Sequence, residues 1–164
     1  MEDERGFEII DHPSDIGIKI TSKTAEGLFE QAAAGMFSLM VDLHSVKPAV
    51  AKSIDIYREE DLKIEDLLLI WLEELIYFYE VNNMLFSRFK VIKIISEYYN
   101  HDNKIKKKKA NSKESILVAK IYGEKIDFNK HEIFVSVKAP TYHMLEVAKN
   151  NRSGLWKGQV IFDV

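Results

Sequence analysis

Apolar residues change their spacing along this chain, and each change marks an element. Phe7-Glu8-Ile9-Ile10 and Ile16-Gly17-Ile18-Lys19-Ile20-Thr21 alternate with period two, separated by the breaker His12-Pro13-Ser14, which predicts two short strands joined by a tight connection. From Thr24 the spacing lengthens. Ala25, Leu28, Phe29, Ala32, Met36 and Met40 fall on one stripe of a helix, with Thr24 as its N-cap and Glu26 well placed in the first turn. After Pro48, Ser53-Ile54-Asp55-Ile56-Tyr57 alternates again as a third strand. A second helix is expected from about Leu62 to Val81, opened by Asp61 as a cap, with a wide apolar stripe through Leu67, Leu68, Trp71, Leu72 and Leu75 that marks it as central.

The remainder reads as strands over 85–99, 115–122, 132–139, 145–149 and 155–162. A ladder of strands with one early and one mid-chain helix predicts the α+β class: a compact single domain over residues 1–164, with a mixed or antiparallel sheet of several strands and the two main helices packed on it. The 164-residue length suits one domain, and a 46% hydrophobic content is enough to bury a core. No apolar run approaches a membrane span, and the first fifteen residues carry acids where an export signal would carry a basic start, so a protein outside the membrane and not exported by that route is expected. Zero cysteines exclude a disulfide framework, a thiolate metal site and a cysteine nucleophile, and fit a cytoplasmic address.

Charge is unevenly divided. The net value of −3 conceals 7 Lys/Arg against 18 Asp/Glu in residues 1–82, and 16 against 8 in residues 83–164. In one compact fold this gives either internal neutralisation or two opposite faces for partners. Five lysines among residues 104–109 would attract phosphate, but no RNP-like aromatic motif or basic helix accompanies them, and a solvated hairpin tip is the simpler expectation.

Common catalytic signatures are missing. The glycines form neither GxGxxG nor GxxxxGK[ST], and there is no His-Glu-x-x-His pair and no Gly-x-Ser-x-Gly elbow. What remains is a set of polar groups beside apolar strands: Asp11-His12-Pro13-Ser14-Asp15, Lys138-Ala139-Pro140-Thr141-Tyr142-His143, and Asp163-Val164. Asp15 opens a strand and Asp163 closes one, so both can project from a sheet rim, where neighbouring carboxylates repel unless a proton or cation lies between them. With the end carboxylate of Val164 they would make an oxygen-rich site suited to calcium or magnesium. Asp15 could equally cap a turn. His12 and His143 could be ligands, acid/base groups or structural hydrogen-bonding groups. Alternation puts Lys138 on the face opposite Val137, where it could bind an anion or be solvated.

Taken in order, Asp11-His12-Pro13-Ser14-Asp15-Ile16-Gly17-Ile18, Ala32 to Met40, Asp66 to Tyr77, Gly123-Glu124, His131, Val137 to His143 and Trp156 to Val164 resemble the archease family over essentially the whole chain. The resemblance implies an accessory protein, not an enzyme, that promotes guanylylation and multiple turnover of an RtcB-type tRNA-splicing RNA ligase and reaches tRNA only through that ligase. It implies a divalent metal held by Asp15, Asp163 and Val164, with His12, Lys138 and His143 as further candidate functional residues. Three departures stand out: Pro13-Ser14 where the family usually has Thr-Ala, Pro140 in place of a more typical Val, and a lysine-rich loop that looks longer than usual. The rival readings are a stand-alone metal-dependent hydrolase using the same Asp and His groups, and an RNA-binding or chaperone-like module acting through Lys104 to Lys109.

Overall fold

A computed structural model describes residues 6–11, 13–97, 99–100 and 113–164. Strands β1 (Phe7–Asp11) and β2 (Ile16–Ser22) form the expected hairpin, with Phe7 opposite Ile20 and Asp11 opposite Ile16. Helix α1 (Ala25–Met40) opens as expected, because the Thr24 hydroxyl accepts from the Gly27 N–H at 2.9 Å and supplies one of the partners the first helical turn lacks. A short 3-10 turn, Leu43–Ser45, leads to β3 (Val50–Arg58) and then to α2 (Ile64–Asn82). The later strands are β4 (Met84–Ser96), β5 (Tyr99–Asn100), β6 (Ser115–Lys125), β7 (Ala139–Pro140), β8 (Glu146–Lys149) and β9 (Trp156–Asp163).

Among the described residues the architecture is α+β, with two α-helices and antiparallel strands. The strands divide into two sheets. In the first, the order is β1-β2-β9, and β7 and β8 follow one another along the far edge of β9; in the second, it is β3-β6-β4-β5. Both helices touch both sheets and each other, so they form a layer between them. This explains the breadth of the apolar stripes: each helix has a sheet on either side. Leu28, Phe29, Met36, Trp71 and Leu72 are fully buried, each removal of such a side chain from water being worth about 2 kcal/mol. Trp71 also crosses between the helices, its indole N–H donating to the Phe29 carbonyl at 2.9 Å.

Three local expectations need correction. The second helix is not capped by Asp61: it starts at Ile64 with Lys63 at the N-cap and no side-chain cap bond, while Glu65 and Asp66 complement the first turn. The strand expected over 85–99 ends at Ser96. There the Glu97 N–H donates to the Leu62 carbonyl at 2.7 Å instead of continuing the ladder, and Tyr99 returns opposite Ser96. The strand expected over 132–139 is extended, with Val137 inward and Lys138 outward as the alternation required, but only Ala139–Pro140 joins a sheet. Its inward side chains pack without a neighbouring strand, and its main chain bonds elsewhere, as in Phe134 N–H to the Met40 carbonyl at 2.8 Å. His12 and Lys104 to Lys109 lie outside the described residues.

Candidate functional site

Strand β9 brings the early and late polar segments together. Antiparallel pairing sets Ile16 opposite Phe162 on one side and Pro140 opposite Phe162 on the other. Asp15 and Asp163 each lie one residue beyond the Ile16–Phe162 pair, at the same end of β2 and β9, and Ala139 lies across from Asp163. The Lys138 N–H donates to the Asp163 carbonyl at 2.8 Å. Asp15 precedes the first residue of β2 and Asp163 is the last of β9, so both stand at a rim.

The loop after β7 closes over this rim. Both the N–H and the hydroxyl of Thr141 donate to the Ile161 carbonyl, at 2.9 Å each. Pro140, which has no N–H, therefore sits between ladder bonds on an edge segment, where none is needed. Farther on, Tyr142 Oη donates to Asp66 Oδ1 at 3.0 Å, and His143 Nε2 lies 3.8 Å from Asp15 Oδ1. Met144 adopts the left-handed region at φ 54°, a conformation costing about 1–2 kcal/mol for a side-chain-bearing residue. Gln159 Nε2 braces it by donating to its carbonyl at 3.0 Å. The hydrogen bond to the Asp66 carboxylate raises the Tyr142 phenol above its ordinary range, with partial desolvation and the charges of Asp66 and Glu73 adding to it.

Of the residues expected at the site, Asp15, Lys138, His143, Asp163 and Val164 thus lie along one rim. Among the described residues, however, no three His, Asp or Glu side chains converge as a metal-binding group. The donors at the rim are carboxylate and main-chain oxygens, which suit a hard cation by type.

A second polar node was not assigned a role from the sequence. His131 is buried, and its Nδ1 accepts from the Asp127 N–H at 3.0 Å. In the neutral ring Nε2 therefore carries the proton, within reach of the Ser45 carbonyl at 3.2 Å and Glu124 Oε2 at 3.1 Å. The same Glu124 oxygen accepts from Lys130 Nζ at 2.6 Å and from the Lys47 N–H at 2.6 Å. Burial opposes ionisation of Glu124, but these donors outweigh it and lower its pKa to about 2. The node ties β6 to the turn before residue 132 and to the 3-10 segment after α1. Only the buried alternation around His131 could have pointed to it.

A model of the Archease protein family (MTH1598/TM1083) matches residues 7–164. The chain belongs to the archease family. It is 34% identical over 158 residues to Protein archease of Methanosarcina barkeri, covering 96% of this chain and 95% of that protein. It is 33% identical over 160 residues to Protein archease of Pyrococcus furiosus, covering 98% and 99%. Among solved structures, the solution structure of Methanobacterium thermoautotrophicum protein 1598 superposes with a TM-score of 0.70 at 28% identity, over 98% of this chain and 99% of that one. The archease expectation and the α+β class are thus both met. No helix of the described residues is long and apolar enough to cross a membrane.

Proposed function

We propose that this archease is a non-catalytic activator of an RtcB-type tRNA-splicing RNA ligase, acting in the cytoplasm as one domain over residues 1–164 and reaching tRNA through that ligase. Family membership supports the partner. The observation that supports the site is the register of β2 against β9, whose last pair, Ile16 opposite Phe162, leaves Asp15 and Asp163 one residue beyond it at the same end of the two strands.

In this reading Asp15 and Asp163, with oxygens of Val164, would hold a divalent calcium or magnesium ion. When bound, the ion supplies concentrated positive charge to phosphate oxygens at the contact with the ligase. Asp15 and Asp163 then serve as a paired anion that fixes where that charge sits. Lys138, exposed beside Asp163, offsets phosphate charge. His143 positions Asp15 from 3.8 Å. An archease that does not itself bind a nucleotide can speed guanylylation only by favouring the ligase conformation, or the metal occupancy, that precedes transfer.

The test is ligation turnover by the cognate ligase at limiting divalent metal, with wild-type protein, Asp15→Ala and Asp163→Ala. Both variants are expected to keep the wild-type melting temperature and to lose stimulation. Stimulation that survives both substitutions refutes the metal rim, and phosphoester turnover by the isolated protein would favour a hydrolase instead.

A further inference from the structure

Helix α2 contains Glu65, Asp66, Glu73, Glu74 and Glu80 and no Lys or Arg across Ile64–Asn82. Among the described residues, no ion pair involves any of these five acids. Positions 66, 70, 73, 77, 80 and 81 lie within about 100° of one another around the helix; Asp66 and Ile70 are half-buried, while Glu73, Tyr77, Glu80 and Val81 are exposed. A surface helix ordinarily presents charged and polar residues on the face opposite the core, with single apolar residues among them. Here Tyr77 and Val81, one turn apart, are each 55% exposed, beside the exposed Glu73 and Glu80. Tyr142, 69% exposed, extends the arc at its N-terminal end through its bond to Asp66, and Glu73 is close enough for its charge to act on that phenol. The next residue, His143, is the one at Asp15, so this helix face and the rim are joined by consecutive residues of one braced loop.

We propose that the exposed face of α2 formed by Glu73, Tyr77, Glu80 and Val81, continued by Tyr142, is a docking surface for a basic protein surface, namely that of the ligase. This rests on the activator reading given above. Uncompensated acids repel the phosphates of RNA, so the charge selects a protein bearing Lys and Arg around an apolar pocket, with aromatic side chains as anchors. Docking here would present the Asp15–Asp163 rim to the same partner.

The experiment is calorimetric titration of the cognate ligase with full-length wild-type protein, Glu73→Lys and Tyr77→Ser/Val81→Ser, at low and moderate salt, alongside ligation assays over a range of activator concentrations. All three substituted positions are exposed, and melting curves check that the fold is kept. Each variant is expected to bind about tenfold more weakly or worse. Glu73→Lys should also flatten the salt dependence. Stimulation should need correspondingly more protein yet reach the wild-type plateau, whereas Asp15→Ala lowers the plateau itself. Wild-type affinity in both variants, with stimulation intact, overturns the docking face and leaves the activator reading standing. A wild-type protein that neither binds nor stimulates the ligase overturns both. A homodimer split by Tyr77→Ser/Val81→Ser, seen by sedimentation, assigns the face to a second copy and overturns the ligase as occupant, as would tRNA binding lost in the same variant.

Discussion

Replacing Glu124 by Gln removes one charge from the node that fastens His131, Lys130 and the Lys47 main chain. The carboxylate ordinarily titrates near 4.5 and is lowered to about 2 in the folded protein. That difference corresponds to roughly 3 kcal/mol of preference for the charged form. The side chain is 20% exposed, so solvent screening brings the expected contribution to about 2 kcal/mol at neutral pH. For a chain of this size the loss lowers the melting temperature by about 4–8 °C. Because the folded pKa is depressed, the contribution is complete above 4.5 and disappears as pH falls toward 2. The assay is urea or thermal unfolding of wild-type and Glu124→Gln proteins at pH 7, 5, 3.5 and 2.5. The gap should be widest at pH 7, still nearly full at pH 5, and largely closed at pH 2.5. A gap that is the same at all four values would show that the glutamate acts through shape alone, and would refute the electrostatic argument.

Other substitutions probe separate parts of the fold. Glu30 has the opposite sign: burial raises its carboxyl above the usual range, more than the Val91 N–H bond and Lys90 lower it. Its ionisation therefore weakens the fold as pH rises through that raised value, so Glu30→Gln, which still accepts from Val91, should raise the melting temperature at pH 7 and have no effect at pH 4; a drop at pH 7 would contradict this. Trp71→Phe leaves the Phe29 carbonyl without its indole donor and opens space between the helices, a loss of about 1–3 kcal/mol measurable by urea unfolding. Gly123→Ala puts a methyl group against the Leu85 carbonyl in the β4–β6 pairing, and is expected to cost about 3 kcal/mol or more, visible as lost soluble yield and a lower melting temperature.

Elements whose burial follows their own local period were legible. The hairpin of β1 and β2 and the Thr24 cap could be read from neighbours a few residues apart. Which strands pair could not, because pairing depends on residues far apart in sequence, and nothing in the spacing separates one sheet from two. The same limit explains the extended stretch after His131: period-two alternation reports an inside and an outside, and this stretch gets its inside without a neighbouring strand. Strand β4 ends at Ser96 through a main-chain bond from Glu97 to Leu62, with no Gly or Pro to announce it. At the rim, Asp15 and Asp163 were recognisable as strand-end carboxylates. The bond from Tyr142 to Asp66 was not, since it joins a loop to a helix 76 positions away.

The Glu124 node and the rim are one construction. Beyond His131 the chain runs in extended form past the end of α1, where Phe134 N–H meets the Met40 carbonyl, and past α2, where Tyr79 Oη and Ser136 Oγ stand 3.1 Å apart. Val137 then anchors it in the core, and Lys138 delivers its N–H to Asp163. A segment with no neighbouring strand over most of its length is held by its ends and a few such points. The acidic rim is held on both edges of β9, by β2 through a seven-pair ladder that ends one residue short of Asp15 and Asp163, and by β7 through Ala139 and Pro140.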